Sequence, residues 1–352
     1  MASSTRPTLK QVAELAKVSQ TTASMIMNEK QGIVFSADTI QRVRLAAQRL
    51  GYLPAPAKES APLFQGRMIV IFSAAITGYY YSALAQAIEQ AAQKEGYETL
   101  CFQTFHSSSR ELSGMRLFGR SDVAGMIFTY IPQNYRLLEE MKLPCVVIGD
   151  HNDQLRVNMV ETNNYAAGLM MARHVLGLGH RKAAFLNDRY EWQGFPTSTR
   201  LHGVQAVFER EYPGAELVEF THQAQGEASL EDYHFRRRVG YSLAASCLDS
   251  RPDVTCMMCV TDMIAYGAME CLRERGMEIP KDMSVCGFDN NFAADLLGLT
   301  THDYHIPQIG VQAFQMLASQ MGKREGAPSI TKMELMGEVI PRDTTAPPRQ
   351  QD

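Results

Sequence analysis

The pattern of apolar and polar positions changes character near residue 66. Before it, apolar residues recur at helical spacing in three short runs. The first, Leu9 to Ala16, predicts a helix with Val12, Leu15 and Ala16 on one face, followed by a turn at Lys17-Val18. Ser19 stands where a side-chain oxygen would cap a second helix, Gln20 to about Met27, with Ala23, Ile26 and Met27 inward. Ser36 is placed to cap a third helix, and Asp38 in its first turn complements the helix dipole. Ile40, Val43, Ala47 and Leu50 form its apolar stripe, and Gly51 ends it. Two short helices across a tight turn, braced by a third, predict a helix-turn-helix. In that motif the N-terminal residues of the second helix enter the DNA major groove.

From Met68 onward short apolar runs alternate with amphipathic helices. The runs MIVIF, TLCFQT, GMIFTY and PCVVIGD read as strands. SALAQAIEQAAQKEGY and a segment near Leu137–Met141 read as helices, and HSSSRELSGMRLFGR as a polar connection. The alternation then repeats, with strands AAFLN, LVEF, TCMMCV and SVCGFD. The helices between them are Tyr165–Leu178, Thr199–Glu211, Arg237–Leu248 and Ile264–Arg275. A helix over Pro307–Met321 precedes a strand around Met333–Met336. Such alternation gives parallel sheets covered by helices on both faces, here in two α/β units.

The 352 residues suffice for two or three domains. The net charge of −4 argues nothing about nucleic acid, but its distribution does. Residues 1–58 carry eight Lys and Arg against three Asp and Glu, a surplus of five that leaves −9 for the rest. A basic head on an acidic body suits phosphate contact by the head alone. The start, MASSTRPTLK, lacks the apolar core of a signal peptide, and no run approaches a membrane span, so a cytoplasmic protein without a membrane partner is expected. Seven cysteines include Cys256 and Cys259 at CxxC spacing, but no second pair accompanies them. The run VTCMMCV reads as a buried strand in which Cys is a small hydrophobe, and no metal or cofactor is expected. Pro54, Pro56 and Pro62 mark 54–66 as a linker.

VAELAKVSQTTASMIMNEK, followed by TIQRVRLAAQRLGYLP, resembles the DNA-binding headpiece of the lactose-repressor/galactose-repressor family of transcription regulators. The resemblance continues through TNNYAAGLMMARHVLGLGHRKAAFL, RLHGVQAVFE, VTDMIAYGAMECLRERGMEIPKDMSVCGFDN, LGLTTHDY and EVIPRDTTAPP, covering nearly the whole chain. It implies a headpiece over 1–53, the linker over 54–66, a bilobed periplasmic-binding-protein-like body over 67–345 that binds an effector and dimerises, and a tail over 346–352. It implies chain crossings between the lobes near Asn163, near Asp289–Asn291 and near Gly322. The family's hinge helix has little room between Pro56 and Pro62, and Leu63 is not at the place of its intercalating leucine. The ending PRDTTAPPRQQD has no heptad repeat, so a homodimer rather than a tetramer is expected.

Residue by residue, the resemblance assigns DNA contact to Thr8, Ser19, Gln20, Thr21, Thr22, Ser24, Met25 and Asn28. Gln20 and Thr21 hold the leading base-contact positions. Gln can pair with adenine and Thr can touch a thymine methyl. Met25 replaces an arginine common in the family and offers only apolar contact. Arg200 and Asp289 stand where the family binds effector hydroxyls. A guanidinium fork and a carboxylate can each hold two of them. Thr261 replaces the family's asparagine, and Tyr80, Tyr81 and Trp192 are candidate flat walls for a sugar ring. The plainer alternatives are a surface arginine at a helix start for Arg200, a strand-end cap for Asp289 and helix-end packing for the tyrosines. The expectation is a ligand-responsive transcription regulator, a repressor, binding a palindromic double-stranded operator as a dimer under a small sugar-like effector. Two rival readings have less support. An enzyme lacks support because there is no G-x-S-x-G, P-loop or G-x-G-x-x-G, and His106, His180 and His222 lie far apart. A solute-binding protein with the same body would not explain the basic head.

Overall fold

The computed structural model describes residues 7–27, 35–50, 52, 66–119, 122–141, 143–190, 199–224, 234–321 and 330–349. The chain divides into two compact units, Met1–Gln65 and Gly66–Asp352. Asn28 and Trp192 lie outside the described residues, as does the expected linker apart from Gly66, whose N–H donates to Asp122.

In the first unit, α1 (Leu9–Ala16), α2 (Gln20–Met27) and α3 (Ala37–Leu50) enclose a small core. Thr8 and Gln11 form a reciprocal cap at the start of α1. Lys17, in the left-handed region at φ 55°, ends α1 and makes the turn, with Val18 N–H on the Ala13 carbonyl at 3.0 Å. Ser19 Oγ accepts from Thr22 N–H at 3.0 Å, and Ser36 Oγ from Thr39 N–H at 3.3 Å, so both expected caps form. Arg42 of α3 braces the turn by donating to the Ala16 carbonyl. One inward position differs from expectation. Leu15 is 48% exposed and Ala13 is buried in its place, because Val12, Ala13 and Ala16 form the face that meets α2 and α3.

The second unit holds two six-stranded sheets. One contains β1 (Met68–Ser73), β2 (Glu98–Gln103), β3 (Gly125–Phe128), β4 (Cys145–Asp150), β5 (Asn158–Thr162) and β11 (Lys332–Leu335), in the order β11-β5-β4-β3-β1-β2, all parallel. The other contains β6 (Lys182–Tyr190), β7 (Glu216–Ala224), β8 (Cys256–Cys259), β9 (Ser284–Phe288), β10 (Thr300–Asp303) and β12 (Glu338–Ile340), in the order β12-β10-β9-β8-β6-β7, antiparallel only at β10–β12. Alternation along β1 supplies two cores. Ile69 and Ile71 pack with Leu84 and Ile88, while Val70 and Phe72 face Met115, Phe118 and Phe128 on the other side. Cys256 and Cys259 are fully buried in β8, as their apolar run implied, whereas Cys101 in the edge strand β2 is exposed.

The intervening helices are α4 (Tyr79–Lys94), α5 (Ser108–Phe118), α6 (Tyr135–Glu140), α7 (Asn164–Gly177), α8 (Thr199–Arg210), α9 (Phe235–Ser250), α10 (Asp262–Glu274), α11 (Phe292–Leu296) and α12 (Ile306–Ala318). The stretch read as a polar connection is therefore a helix, α5. Its buried face includes Glu111, which accepts from Tyr130 Oη at 2.9 Å and Asn134 N–H at 2.7 Å. A buried carboxylate on that face hides the apolar stripe from a pattern reading. Strands β5, β10 and β12 were also not expected. β5 buries Asn158, Glu161 and Thr162, polar residues that do not announce a core strand.

The crossings between sheets differ from expectation as well. The first lies at Asn163 as expected. Because β10 pairs with β9, the chain stays in the second sheet past Asp289–Asn291. It leaves at Tyr304-His305, enters α12 against α4 of the first sheet, forms β11, and returns through Met336-Gly337 to β12. Gly337 is required there, since a Cβ would collide with the Asp303 carbonyl and the His302 ring. Within the expected tail, Ala346 O meets His180 Nε2 at 2.9 Å and Arg349 pairs with Asp282 at 2.6 Å, while residues 350–352 lie outside the described ones.

Two helix pairs meet through reciprocal glycines. A Cβ on Gly168 of α7 would strike the Arg200 carbonyl of α8, and one on Gly203 of α8 would strike the Tyr165 carbonyl of α7. Gly240 of α9 and Gly267 of α10 do the same for their pair. Backbone-to-backbone contact leaves no side chain to yield, so Gly168→Ala should cost about 1–3 kcal/mol in urea unfolding. A loss under about 0.5 kcal/mol, the range of ordinary surface changes, would mean the helices separate easily.

Candidate functional site

In parallel α/β sheets ligands bind beyond the carboxyl ends of the strands. Those ends converge here on a cavity of about 370 Å³. Tyr130 follows β3, Asp150 ends β4, Thr162 ends β5, Thr261 follows β8 and Asp289 follows β9, and all line it. Of the expected effector residues, Tyr80, Tyr81, Arg200, Thr261 and Asp289 are brought together in this cavity, although they are scattered over more than half of the chain.

Arg200 lies in the first turn of α8, its side chain 15% exposed. Its Nε donates to Asn164 Oδ1 at 2.7 Å, its Nη1 to the Val260 carbonyl, and Nη1 stands 3.8 Å from Asp289 Oδ1. The guanidinium is flanked by the rings of Tyr304 at 4.9 Å and Phe288 at 5.2 Å. Tyr304 Oη in turn donates to Asn164 Oδ1 at 2.7 Å. This is a fixed cation with one edge toward the cavity, not a surface arginine.

Asp289 has φ 126°, a strained setting for a side chain with a Cβ, held by its N–H on the His302 carbonyl at 3.0 Å. Thr261 caps α10 by accepting from Ile264 N–H at 3.4 Å while facing the cavity. Tyr80 and Tyr81 lie in the first turn of α4, which begins at Tyr79 rather than at the expected Ser82, and their rings meet edge to face at 5.2 Å. Tyr81 Oη lies 3.3 Å from His106 Nε2. Burial, with Arg236 nearby, pushes the His106 imidazole down to about 4, so it is neutral at pH 7.

Sequence reasoning missed His106, Asp150, Asn164, Arg236 and Tyr304. Asp150 had a signal, since it ends the strand-like run PCVVIGD at a carboxyl edge. Its Oδ2 accepts from Thr199 Oγ1 at 2.5 Å, tying β4 to α8. Arg236, beside the buried Asp188 at 3.6 Å, had none, because it sits among three consecutive arginines. In the first unit, Thr8, Ser19, Gln20 and Thr21 are exposed, and Thr22, Ser24 and Met25 are half-buried. Thr8, Ser19 and Thr22 already serve as caps or cap partners. Among the described residues no cluster suits a metal ion and no helix is long and apolar enough to cross a membrane.

Behind the cavity Asp262 is fully buried, accepting from Thr301 Oγ1 at 2.6 Å and Asn291 N–H at 2.9 Å. Burial, and the Asp289 carboxylate nearby, push its acid up to about 7, and burial lifts Asp289 to about 6 against the pull of Arg200 and Arg236.

Residues 8–55 match the model of bacterial regulatory proteins of the lacI family, and residues 172–345 match that of a periplasmic binding protein-like domain. The HTH-type transcriptional regulator MalR of Streptomyces coelicolor is 29% identical over 352 residues, 96% of each chain. The lac repressor dimer bound to operator and the anti-inducer ONPF superposes at TM-score 0.67 with 21% identity, over 97% of this chain and 100% of that one. A lacI-family regulator from Enterococcus faecium with bound ribose superposes at 0.64 with 23% identity, over 80% and 99%. Structures this distant in sequence establish the fold.

The Asp262 shift has a pH signature. Its folded value lies above the ordinary 3.8, so its stabilising contribution is full below about 4 and is lost as pH rises through about 7. Asp262→Asn mimics the protonated acid, keeping an acceptor for Asn291 N–H and turning an amide N–H to Thr301. Its melting temperature relative to the parent should rise by roughly 2 °C or more between pH 5 and pH 8. A difference that is flat with pH would refute the raised acid.

Proposed function

We propose, for a chain that belongs to the lacI family of bacterial regulatory proteins and is a transcriptional regulator with a ligand-binding body, that it is a cytoplasmic repressor. It binds a palindromic operator as a homodimer and is modulated by a small polyhydroxylated effector. The observation that carries the effector reading is the meeting of Arg200 and Asp289, 89 positions apart in sequence, at 3.8 Å in one cavity with aromatic walls. A fixed guanidinium and a carboxylate, with flat rings beside them, suit a molecule that presents vicinal hydroxyls on a ring with an apolar face. In this reading Asp289 and the open edge of Arg200 take hydroxyls, while Tyr80 and Tyr81 form a wall. Asn164 and Tyr304 hold Arg200 in place, and no catalytic step is assigned.

On the DNA side, Gln20 and Thr21 are the exposed leading residues of α2 and are proposed to read bases. Thr8, Ser19 and Thr22, already engaged in capping, position the helix and touch phosphate, together with Ser24 and Asn28. Met25 supplies apolar contact, and Met25→Arg should move preference toward guanine by about 1–3 kcal/mol. The check is an operator selection on purified parent and variant, and the same selected sequence from both would remove Met25 from the readout.

Effector and operator affinities are then reciprocally coupled. Asp289→Ala should abolish the effector's influence on operator binding and leave operator binding without effector nearly intact, as read by fluorescence anisotropy of a labelled operator. Loss of operator binding in both conditions would assign Asp289 to the fold instead.

A further inference from the structure

Two histidines lie equally deep in the second lobe and are treated differently. His180 and His302 are each 1% exposed. His180 Nδ1 lies 2.7 Å from Thr255 Oγ1, and its Nε2 lies 2.9 Å from the Ala346 carbonyl, so both nitrogens are met. Neither ring nitrogen of His302 has a hydrogen-bond partner among the described residues. A neutral imidazole carries one donor and one acceptor whichever tautomer it adopts, and burying both unmet is unfavourable. The polar side chains that follow it are engaged elsewhere. Asp303 accepts from His305 N–H at 2.7 Å and from Asn290 Nδ2 at 3.0 Å, and Tyr304 Oη donates to Asn164.

The ring sits where the chain leaves the second sheet and where it comes back. His302 lies in β10, just before the crossing at Tyr304-His305. Its ring is 4.5 Å from that of Tyr304, which flanks Arg200, and 6.1 Å from that of Phe288. The return segment closes over another edge, since a Cβ on Gly337 would fall 2.3 Å from the ring Cε1 and 2.9 Å from Nε2. Met336, the residue before, is 56% exposed. A small shift of the return segment therefore carries Nε2 from burial to water. Building on the reading that effector and operator affinities are coupled by movement of the lobes, we propose that His302 sets the balance of that movement. Its unmet ring disfavours the arrangement seen here and favours one in which the segments at Tyr304 and Gly337 have moved apart. His302 touches the effector site only through Tyr304 and the crossing strands, so it is a positioning residue.

The balance carries a pH signature. Burial, with the Arg200 charge nearby, pushes the His302 imidazole down to about 4. The charged groups around it are Asp303 and His305 after it in the chain, Asp289 at the end of β9, Glu338 in β12 and Arg200 beyond Tyr304. The buried face of α7, which packs on β10, is apolar. None of these groups bonds to the ring. The value in place lies below the ordinary 6.5. The enclosed arrangement is therefore most stable above about 6.5 and is weakened as pH falls toward about 4, because only the ring in water takes the proton.

The test is amide hydrogen exchange of the full chain, read on peptides over residues 299–308 and 333–341, for the parent, His302→Leu and His302→Gln. Leucine fills similar space without polar atoms, and glutamine keeps polar atoms but does not titrate. Protection in the parent, corrected for intrinsic rates, should fall about tenfold from pH 7.5 to pH 5.5. Both variants should lose that dependence. At pH 7.5 His302→Leu should be at least about fivefold better protected than the parent, while His302→Gln stays close to it. A parent profile flat with pH overturns the proposal. So does equal protection of the leucine and glutamine variants, because packing rather than the unmet nitrogens would then act. If His302→Leu fails to fold, His302→Gln decides alone, and a glutamine protein that keeps the parent's pH profile overturns the role of His302. These results leave the coupling reading standing, since they involve neither operator nor effector. That reading fails separately if the crossing peptides exchange only together with β8 at the centre of the sheet. A body that opens only by unfolding as a whole has no second arrangement, and the role of His302 falls with it.

Discussion

A guanidinium cannot be taken out of water unless its charge and its donors are met, and Arg200 is nearly out of water. The groups that meet it come from separate places in the chain. Asn164 follows the first crossing, Val260 and Asp289 follow adjacent strands of the second sheet, and Tyr304 stands at the second crossing. One cation thus fixes the relation of a helix start, two strand ends and a hinge. Removing any partner leaves part of a buried charge unmet, which is why the cavity wall around it behaves as a unit. The reciprocal glycines matter for the same reason. Gly168 lets α7 come close enough that Asn164, at its start, reaches Arg200 at the start of α8.

The strain at Asp289 and the raised acid of Asp262 are two further costs at one place. Both residues sit where β9 ends beside the start of α10. Strained backbone and a buried carboxylate without a cation in contact persist only when the surroundings over-determine them. Here Thr301, Asn291 and the His302 carbonyl do so. A ligand hydroxyl on Asp289 would favour its charged form and so reach, through electrostatics alone, the carboxylate buried behind it.

Most of the architecture was legible because it rests on local chemistry. Caps at Ser19 and Ser36 and the alternation of apolar strands with amphipathic helices depend on neighbours in sequence. What stayed hidden depends on burial that only the tertiary structure supplies. Glu111 masks α5, and Glu161 with its flanking polar residues masks β5, because a buried acid looks exposed until its donors are known. The site divided along the same line. Arg200 and Asp289 carried motif signals, whereas Asn164 and Tyr304 matter only through the arginine they hold, and Arg236 through the buried Asp188 beside it. The crossings were misplaced because a motif fixes what a segment is like, not which sheet its next strand joins.

The crossings bear on how the chain is made. Each sheet is finished by a strand from residues 332–340, and the stretch to Arg349 then docks on His180, Ser284 and Asp282. During synthesis the first unit, whose described core lies within residues 9–52, can close its local contacts within seconds of emerging. Neither lobe can complete its sheet until nearly 300 further residues have been added. A chain that terminates early therefore leaves both sheets open-edged. Open edges are templates for pairing with other chains, so truncation in this region exposes both lobes to aggregation.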